Sequence, residues 1–186
     1  NYYDLYSRDA AGESLKMISD LTPVELEELE VAKNCISKEA AINIVKKYIS
    51  IPKDFDMRSA NLYKDYENPD QKVWSLAWEK ITESGKGGYI NARVNAITSE
   101  LLSFNIYEYG RNLKDFKQQY DRVAAQKIAE EFLRKHQPKR LENVIPDDRY
   151  QNVDSPEEVQ EHSFNYTRLV NGIPYIDNGF YLEVDA

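Results

Sequence analysis

Two stretches of the chain place an apolar residue at every third or fourth position, and this spacing predicts two amphipathic helices. The helices are expected over residues 38–49 and 122–135, with Ser37 and Asp121 capping their amino-terminal ends. One side of each helix should be buried against a sheet. The residues expected on these buried sides are Ile44, Val45, Tyr48, Ile128, Ala129 and Phe132.

An accessory helix is predicted over residues 23–33. Thr22 can cap it, Pro23 suits its first position, and Glu25 completes a capping box with the threonine. Its apolar stripe is narrow and glutamates fill the rest of its surface, so we expect it to lie on the main body.

Alternation of apolar and polar side chains predicts antiparallel strands with one buried face. The clearest case is residues 73–80, in which Trp74, Leu76 and Trp78 share one side. The other strands are expected over residues 57–63, 89–96, 101–109, 141–145 and 163–186, the last of these interrupted by a turn.

Glycine and proline predict the connections between strands. Residues 84–88, which contain three glycines, are expected to form a flexible loop, and residues 146–162 a polar, acidic loop. Asn171 and Gly172 should form the tip of a type I′ hairpin, with positive φ at the glycine. Pro174 lacks an N–H group and should therefore lie at a sheet edge or outside the hydrogen-bonded ladder.

The plan of a helix followed by strands occurs twice. A shift of 84 residues places Ser37 on Asp121. A shift of 90 residues places Trp74, Leu76 and Trp78 on Phe164, Tyr166 and Arg168. The predicted fold class is α+β, with a helical lead over residues 1–34 and two modules over residues 35–110 and 111–186, each a helix packed on an antiparallel sheet.

The second module, as the sequence stands, lacks its last strand because the chain ends at Ala186. Residues 179–184, from Gly179 to Val184, should then form an open strand edge, which is a template for another strand. We expect this edge to be covered by residues 1–20, by a second molecule in a homodimer, or by sequence beyond Ala186.

The resemblance to a known family rests on five segments: ISKEAAINIVKKYISIP, WSLAWEK, VNAITSELLSF, AAQKIAEEFL and FNYTRLVNGIPYIDNGFYLEVDA. Together they resemble the YcdB/YcdC repeated domain of bacterial envelope proteins, a relative of the PepSY module, over about residues 21–186. The resemblance implies tandem PepSY-like modules and an extracytoplasmic location, secreted or associated with the cell envelope. It also implies a role in regulating peptidases or binding protein partners, and it brings no catalytic residues. One departure is Ser99, which replaces a usual glycine and argues against a positive-φ turn there.

Composition excludes several function classes. The net charge of −8 over 186 residues argues against binding to nucleic acid, which needs a basic surface. No run of 18 apolar residues is present, so no membrane span is expected. The single cysteine, Cys35, cannot form an internal disulfide and is expected to be buried rather than reactive.

Catalytic and metal chemistry find little support in the sequence. His136 and His162 are the two histidines. Glu158 and His162 would share one face of a helix, but a third ligand is missing and the segment is a charged loop. The sequence contains no Gly-x-Ser-x-Gly motif. We therefore predict no catalytic residue, no metal site and no cofactor.

Aromatic residues are the best candidates for a binding site. They are Trp74, Trp78, Tyr166, Tyr175 and Tyr181. The competing interpretation is that aromatic residues at strand spacing form the core that faces the helices. Any tyrosines left over on the outer face of a sheet would make a peptide-binding surface or an interface.

Three functions are carried forward. The first is a non-catalytic binding or regulatory module of the cell envelope, with a protein or peptide partner. The second is a binder of small molecules or peptides that uses an aromatic pocket between helix and sheet. The third is a hydrolase that uses His136 or His162, and it has the least support of the three.

Overall fold

The computed structural model shows an α+β chain with antiparallel sheets, divided into two compact units at residues 1–109 and 110–186. The described part of each unit holds one long helix and one sheet. The predicted accessory helix, residues 23–33, lies mostly outside the described residues and stays a prediction. The structure describes residues 22–23, 26, 32–65, 68, 70–83, 85–109, 117–147 and 160–186.

The first unit packs one helix on a four-stranded sheet. Helix α1 is Lys38–Tyr48, and the strands are β1 (Asp56–Lys64), β2 (Lys72–Thr82), β3 (Gly85–Asn95) and β4 (Leu101–Glu108). The strands lie in the order β1-β2-β3-β4, and all neighbours are antiparallel. Consecutive strands are therefore adjacent, and short connections suffice.

Helix α1 begins where the sequence predicts. The Ser37 hydroxyl oxygen accepts the Ala40 N–H at 3.1 Å and so caps the first turn. Val45 is fully buried as expected, whereas Ile44 and Tyr48 are half-buried at the flanks of the contact. The core between α1 and the sheet consists of Ala41, Val45, Phe55, Leu76, Trp78, Ile90, Ala92 and Val94.

The predicted glycine-rich loop is wrong, because residues 85–88 belong to β3. Gly85 pairs with Thr82 and Gly88 pairs with Lys80, so the hairpin connection is tight. A one-residue shift of register, opposite Lys80 and Ile81, absorbs the remaining glycine. The glycines therefore extend the strand instead of interrupting it.

The expectation drawn from Ser99 is also wrong, because the turn after β3 keeps its positive φ. Ser99 adopts φ 63° without being glycine. The side-chain oxygen of Asn95 accepts the N–H groups of Ile97 and Thr98, both at 2.9 Å. This asparagine-based turn holds the backbone in place and offsets the strain at Ser99.

The second unit packs a helix on a three-stranded sheet. Helix α2 is Arg122–His136, a short helix α3 is Pro138–Leu141, and the strands are β5 (Val144–Pro146), β6 (Glu161–Val170) and β7 (Ile173–Asp185). The order is β5-β6-β7, again antiparallel. The core consists of Ala125, Ala129, Leu133, Phe164 and Tyr166.

Helix α2 begins at its predicted cap but is rotated from its predicted orientation. An Asp121 carboxylate oxygen accepts the Ala124 N–H at 2.7 Å. Ala129 is buried as predicted, but Ile128 is 39% exposed and Phe132 is only half-buried. Leu133 takes the buried place. The contact follows the row of residues four apart, Ala125, Ala129 and Leu133, instead of the neighbouring row.

The predicted strand over residues 141–145 begins later than expected. Leu141 ends helix α3, which Pro138 starts in the first helical position, where its missing N–H costs nothing. The strand itself is β5, Val144–Pro146. Of the predicted acidic loop, residues 161 and 162 belong to β6, and residues 148–159 lie outside the described part of the chain.

The β6–β7 hairpin turns at Asn171 and Gly172, whose φ angles of 52° and 79° confirm the predicted type I′ turn. Leu169 pairs with Pro174 and sends its N–H away from β7, to the Asn143 carbonyl at 2.8 Å. In an antiparallel ladder, when one residue of a pair points its N–H away from the neighbouring strand, the backbone N–H of the other residue also points away, to the opposite side. The missing N–H of Pro174 therefore falls on the outer edge, as predicted.

The hydrogen-bonded register corrects the predicted shift of 90 residues between β2 and β6. Trp74 pairs with Val94, and Val184 pairs with His162 rather than with Phe164. The residue of the second unit that corresponds in position to Trp74 is therefore His162, two residues before the predicted Phe164. Phe164 and Tyr166 then correspond to Leu76 and Trp78, which are also buried.

Strand β7 lies at the edge of its sheet and, among the described residues, pairs with β6 alone. This agrees with the strand edge predicted over residues 179–184. Residues 1–20 lie outside the described part of the chain, so what covers the edge stays a prediction.

Candidate functional site

Three of the predicted binding residues lie in or against the cores between helix and sheet. Trp78 and Tyr166 are 4% and 5% exposed and belong to the cores of the first and second units. Trp74 is half-buried, and its ring N–H donates to the Ile36 carbonyl at 2.9 Å. The competing interpretation, that aromatic residues on these strands form the core, accounts for all three.

The other two predicted residues lie on the surface of the second unit. Tyr175 is 59% exposed and Tyr181 is 60% exposed, both on β7. The Tyr181 hydroxyl donates to the Glu183 carboxylate, and burial followed by that carboxylate raises its pKa. The role of these two tyrosines in binding stays a prediction.

A group of tyrosines that the sequence did not single out lies on the outer face of the first sheet. Tyr89, Tyr107 and Tyr109 form this group, which we call the tyrosine face. Ile90 on β3 belongs to the core shared with α1, so Tyr89 points to the opposite side of the sheet. Tyr107 pairs with Tyr89 across the strands, and its ring lies 5.4 Å away at 22°.

The rings of the tyrosine face hold one another in place. Tyr109 meets Tyr107 edge to face at 5.1 Å and lies 6.0 Å from Tyr89. Tyr107 and Tyr109 are about half exposed, and Tyr89 is half-buried beneath them. Next along the strands, the Asn91 and Asn105 side chains form an amide pair at 3.5 Å. The face therefore combines fixed aromatic surface with hydrogen-bonding groups.

Charged residues border the tyrosine face and are paired. The Arg93 guanidinium lies 2.6 Å from an Asp65 carboxylate oxygen and also donates to the Tyr63 hydroxyl at 3.0 Å. On β2, directly across from Tyr89, the Glu79 carboxylate contacts Lys86 at 3.1 Å and Arg58 at 3.7 Å. These contacts fix the orientation of the charged side chains that flank the tyrosine face.

The second unit contains a cavity of about 330 Å³ between helix and sheet. Its walls include Arg122 and Gln126 from α2, Phe164 and Tyr166 from β6, and Asp147 after β5. The Asp147 carboxylate accepts a hydrogen bond at 2.6 Å from the hydroxyl of Thr167, which does not itself line the cavity. β5 pairs with residues 166–168 of β6, and the walls of the cavity extend along β6 from Tyr166 to Ser163, beyond that pairing.

The two histidines and the cysteine contact neighbouring residues in ways that do not assemble a catalytic group among the described residues. His162 is 6% exposed, and its Nε2 atom lies 3.0 Å from the Tyr120 carbonyl oxygen. The His136 ring packs on Phe132 at 4.6 Å, and burial together with Lys135 lowers its pKa. Burial raises the pKa of Cys35, which keeps the thiol protonated and a poor nucleophile.

The part of the chain that is described contains neither a candidate metal site nor a candidate membrane-spanning helix. No group of three or more His, Cys, Asp or Glu side chains there could hold a metal ion. Glu158, the partner suggested for His162, lies outside the described residues. No helix in the described ranges has the length and apolar content that crossing a membrane requires.

Comparison with known proteins supports one family and one fold. Residues 38–186 match the family described as the YcdB, YcdC repeated domain. The Bacillus megaterium YpeB C-terminal domain is similar in structure, with a TM-score of 0.55 and 13% sequence identity. The match covers 81% of this chain and 58% of that one, less than two thirds of its length. At this identity the similarity shows the fold alone. No curated protein matches the chain in sequence.

Proposed function

The chain belongs to the family of YcdB, YcdC repeated domains, and on this premise we propose that it is a non-catalytic, extracytoplasmic module that binds a protein or peptide. The observation that carries the proposal is the tyrosine face, Tyr89, Tyr107 and Tyr109, on the outer side of the first sheet. Secretion or association with the bacterial cell envelope, and regulation of a peptidase, are the finer parts of the proposal and follow from the PepSY relationship.

The chemistry of the tyrosine face suits a protein surface. Tyrosine brings a large apolar ring and a polar tip at little cost in side-chain entropy, and it is enriched at the centres of binding interfaces. The contacts of Tyr107 with both neighbouring rings fix its orientation before a partner arrives. The nearby amide pair of Asn91 and Asn105 offers further donors and acceptors to a polar rim.

We also propose that the two units are tandem PepSY-like modules, residues 35–110 and 111–186, after a lead over residues 1–34. Each unit caps its long helix with a side chain and packs it on the sheet through small residues, such as Ala41 and Ala125. Each also ties the residue before the cap to a ring nitrogen on the following sheet, from Trp74 or from His162. This shared construction supports the repeat.

Capture of a partner from an envelope extract tests the proposed function, followed by identification of the captured protein and measurement of its affinity in purified form. The double variant Tyr107→Ala with Tyr109→Ala removes the exposed rings. We expect it to weaken binding by about 2 kcal/mol or more, roughly 30-fold. Tyr120→Ala, an exposed tyrosine of the other unit, is the matched control.

Two results would overturn the proposed function. One is equal affinity of the double variant and the wild-type protein for the purified partner. The other is hydrolysis of a general peptide or ester substrate by the wild-type protein, lost in His136→Ala or His162→Ala.

The second candidate function is a binder of small molecules or peptides with an aromatic pocket between helix and sheet. The observation that favours it is the cavity between α2 and β6, with Phe164 and Tyr166 in its walls. Trp74 and Trp78 are not among its lining residues, so the pocket is less aromatic than predicted.

A further inference from the structure

The cavity of the second unit is lined by the positively charged side chain of Arg122, whose position is fixed by two contacts. The Arg122 guanidinium lies over the Phe164 ring, 4.9 Å from its centre, and donates to the Ser163 carbonyl at 3.3 Å. No carboxylate of the described residues lies within ion-pair distance of it. A guanidinium has five N–H donors in a planar fork, and most of these are available to a ligand.

Tyr166, one of the residues that line this cavity, carries a buried hydroxyl group for which the described residues offer no hydrogen-bond partner. Tyr166 is 5% exposed, and its hydroxyl oxygen makes no hydrogen bond with any described residue. Buried polar groups are nearly always hydrogen-bonded, so this one calls for a ligand atom or a water molecule. Burial, and then Glu130, raise the pKa of Tyr166 against the opposing effect of Arg122, so the hydroxyl remains a proton donor.

We propose that this cavity binds a carboxylate group, with Arg122 as its cationic partner and the Tyr166 hydroxyl as a further donor. The proposal rests on the second candidate function and is independent of the tyrosine face. A guanidinium and a hydroxyl are the donors that a carboxylate accepts best. The ligand is either a small carboxylic acid or the carboxyl-terminal end of a peptide.

Charge and size narrow the ligand further. The negative charges of Asp147, which lines the cavity, and of Glu130, which acts on the Tyr166 hydroxyl, oppose any anion. They oppose a dianion such as phosphate more strongly than a monoanion, whose single charge Arg122 can balance. A volume of about 330 Å³ is at the small end of the range for ligand sites and fits an amino acid or a dipeptide. We therefore expect a singly charged carboxylate on a small polar body.

Titration of the full chain followed by NMR amide shifts tests this site with three probes. They are acetate, N-acetyl-alanyl-alanine, and the carboxamide of the same dipeptide, which has nearly the same size but no charge. We expect shifts at Arg122, Gln126 and Tyr166 with the dipeptide acid and none with its amide. Binding of acetate as tight as that of the dipeptide acid identifies a small acid as the ligand, whereas tighter binding of the dipeptide identifies a peptide end.

Two variants connect the binding to the named groups. Arg122→Gln should weaken binding of the dipeptide acid by about 10-fold or more, since it removes a charge-assisted contact. Tyr166→Phe should weaken it by about fivefold while the melting temperature stays equal or rises, because a buried unpaired hydroxyl is lost. Arg134→Gln and Tyr120→Phe are the matched controls. If Arg122→Gln unfolds, Arg122→Met replaces it, because methionine keeps an apolar stem beside the Phe164 ring and also removes the charge.

The proposal is overturned if the amide binds as tightly as the acid, if no probe shifts the cavity residues, or if Tyr166→Phe leaves affinity unchanged. The last two results would mean that a water molecule satisfies the tyrosine. These results leave the proposal for the tyrosine face untouched, because the two proposals concern different residues. Arg122→Gln should therefore capture the protein partner as well as the wild-type protein does.

Discussion

Trp74 and His162 make the same hydrogen bond in the two units. The ring N–H of Trp74 donates to the Ile36 carbonyl at 2.9 Å, and the His162 Nε2 atom lies 3.0 Å from the Tyr120 carbonyl. Both carbonyls belong to the residue immediately before a helix cap. A carbonyl can only accept, so the His162 Nε2 atom carries the proton. Each ring nitrogen therefore ties the start of a helix to the adjacent strand.

The first prediction concerns this link. His162→Phe keeps a buried ring but removes the donor and leaves the Tyr120 carbonyl unpaired, so it should lower the free energy of unfolding by about 1–3 kcal/mol. Urea denaturation monitored by circular dichroism measures the change. His162→Gln, which restores an N–H donor, should recover part of the loss. Equal stability of the phenylalanine variant and the wild-type protein would show that the bond contributes nothing.

The correspondence of Trp74 with His162 also shows why the sequence pattern aligned Trp74 with Phe164, two residues too late. Strand alternation has a period of two, so a slip of two residues leaves the same side chains facing the helix. Phe164 is buried whether it takes the place of Trp74 or of Leu76. The pattern could therefore predict the strands and their faces but not their register, which depends on the turns and bulges between them.

Helix α2 illustrates a second limit. Its cap, Asp121, could be predicted because capping depends on local chemistry alone. Its buried side could not, because the row of Ala125, Ala129 and Leu133 and the neighbouring row of Ile128 and Phe132 are both apolar. Packing against the sheet selects Leu133 and leaves Ile128 exposed.

The sequence predicted the types of residue at the candidate sites but not which residues meet there. Alternation indicated that unassigned tyrosines would lie on an outer sheet face, but the meeting of Tyr89 and Tyr107 depends on register. Arg122 and Tyr166 are 44 positions apart in the sequence, and no local pattern connects them. Such a pair becomes visible only when the helix and the strand are packed together.

The second prediction concerns the glycines of β7 and its turn. A Cβ atom at Gly179 would lie 1.7 Å from the Tyr166 carbonyl oxygen, so Gly179→Ala forces the two strands apart. We expect a loss of about 3 kcal/mol or more. Gly172→Ala is the control: its Cβ meets nothing within 4 Å, and only the positive φ of 79° costs about 1–2 kcal/mol. Equal losses in thermal or urea unfolding would contradict the strand contact.

The third prediction concerns pH. The pKa of His136 is lowered in the folded protein, chiefly by burial and then by Lys135, from an ordinary value of 6.5. The unfolded chain therefore binds more protons than the folded one near that pH, so stability increases with pH there and is lost as pH falls below about 6.5. His136→Gln should flatten this part of the profile. Melting temperatures of both proteins between pH 8 and pH 5 measure the difference, and parallel profiles would exclude this contribution.

The fourth prediction concerns the outer edge of β7. The Ala186 N–H donates to the Gln160 carbonyl, toward β6, so the N–H groups of residues 184 and 182 point the same way and those of 183 and 181 point outward. A homodimer through residues 179–184 would use the outward groups. Glu183→Pro removes one of them without touching the ladder to β6 and should convert such a dimer to monomers of nearly unchanged melting temperature. Leu182→Pro, which breaks the inner ladder, should instead destabilise the unit strongly.

Analytical ultracentrifugation over a range of concentrations distinguishes these outcomes. A dimer that survives Glu183→Pro uses another surface, and a wild-type protein that stays monomeric leaves this edge to another strand.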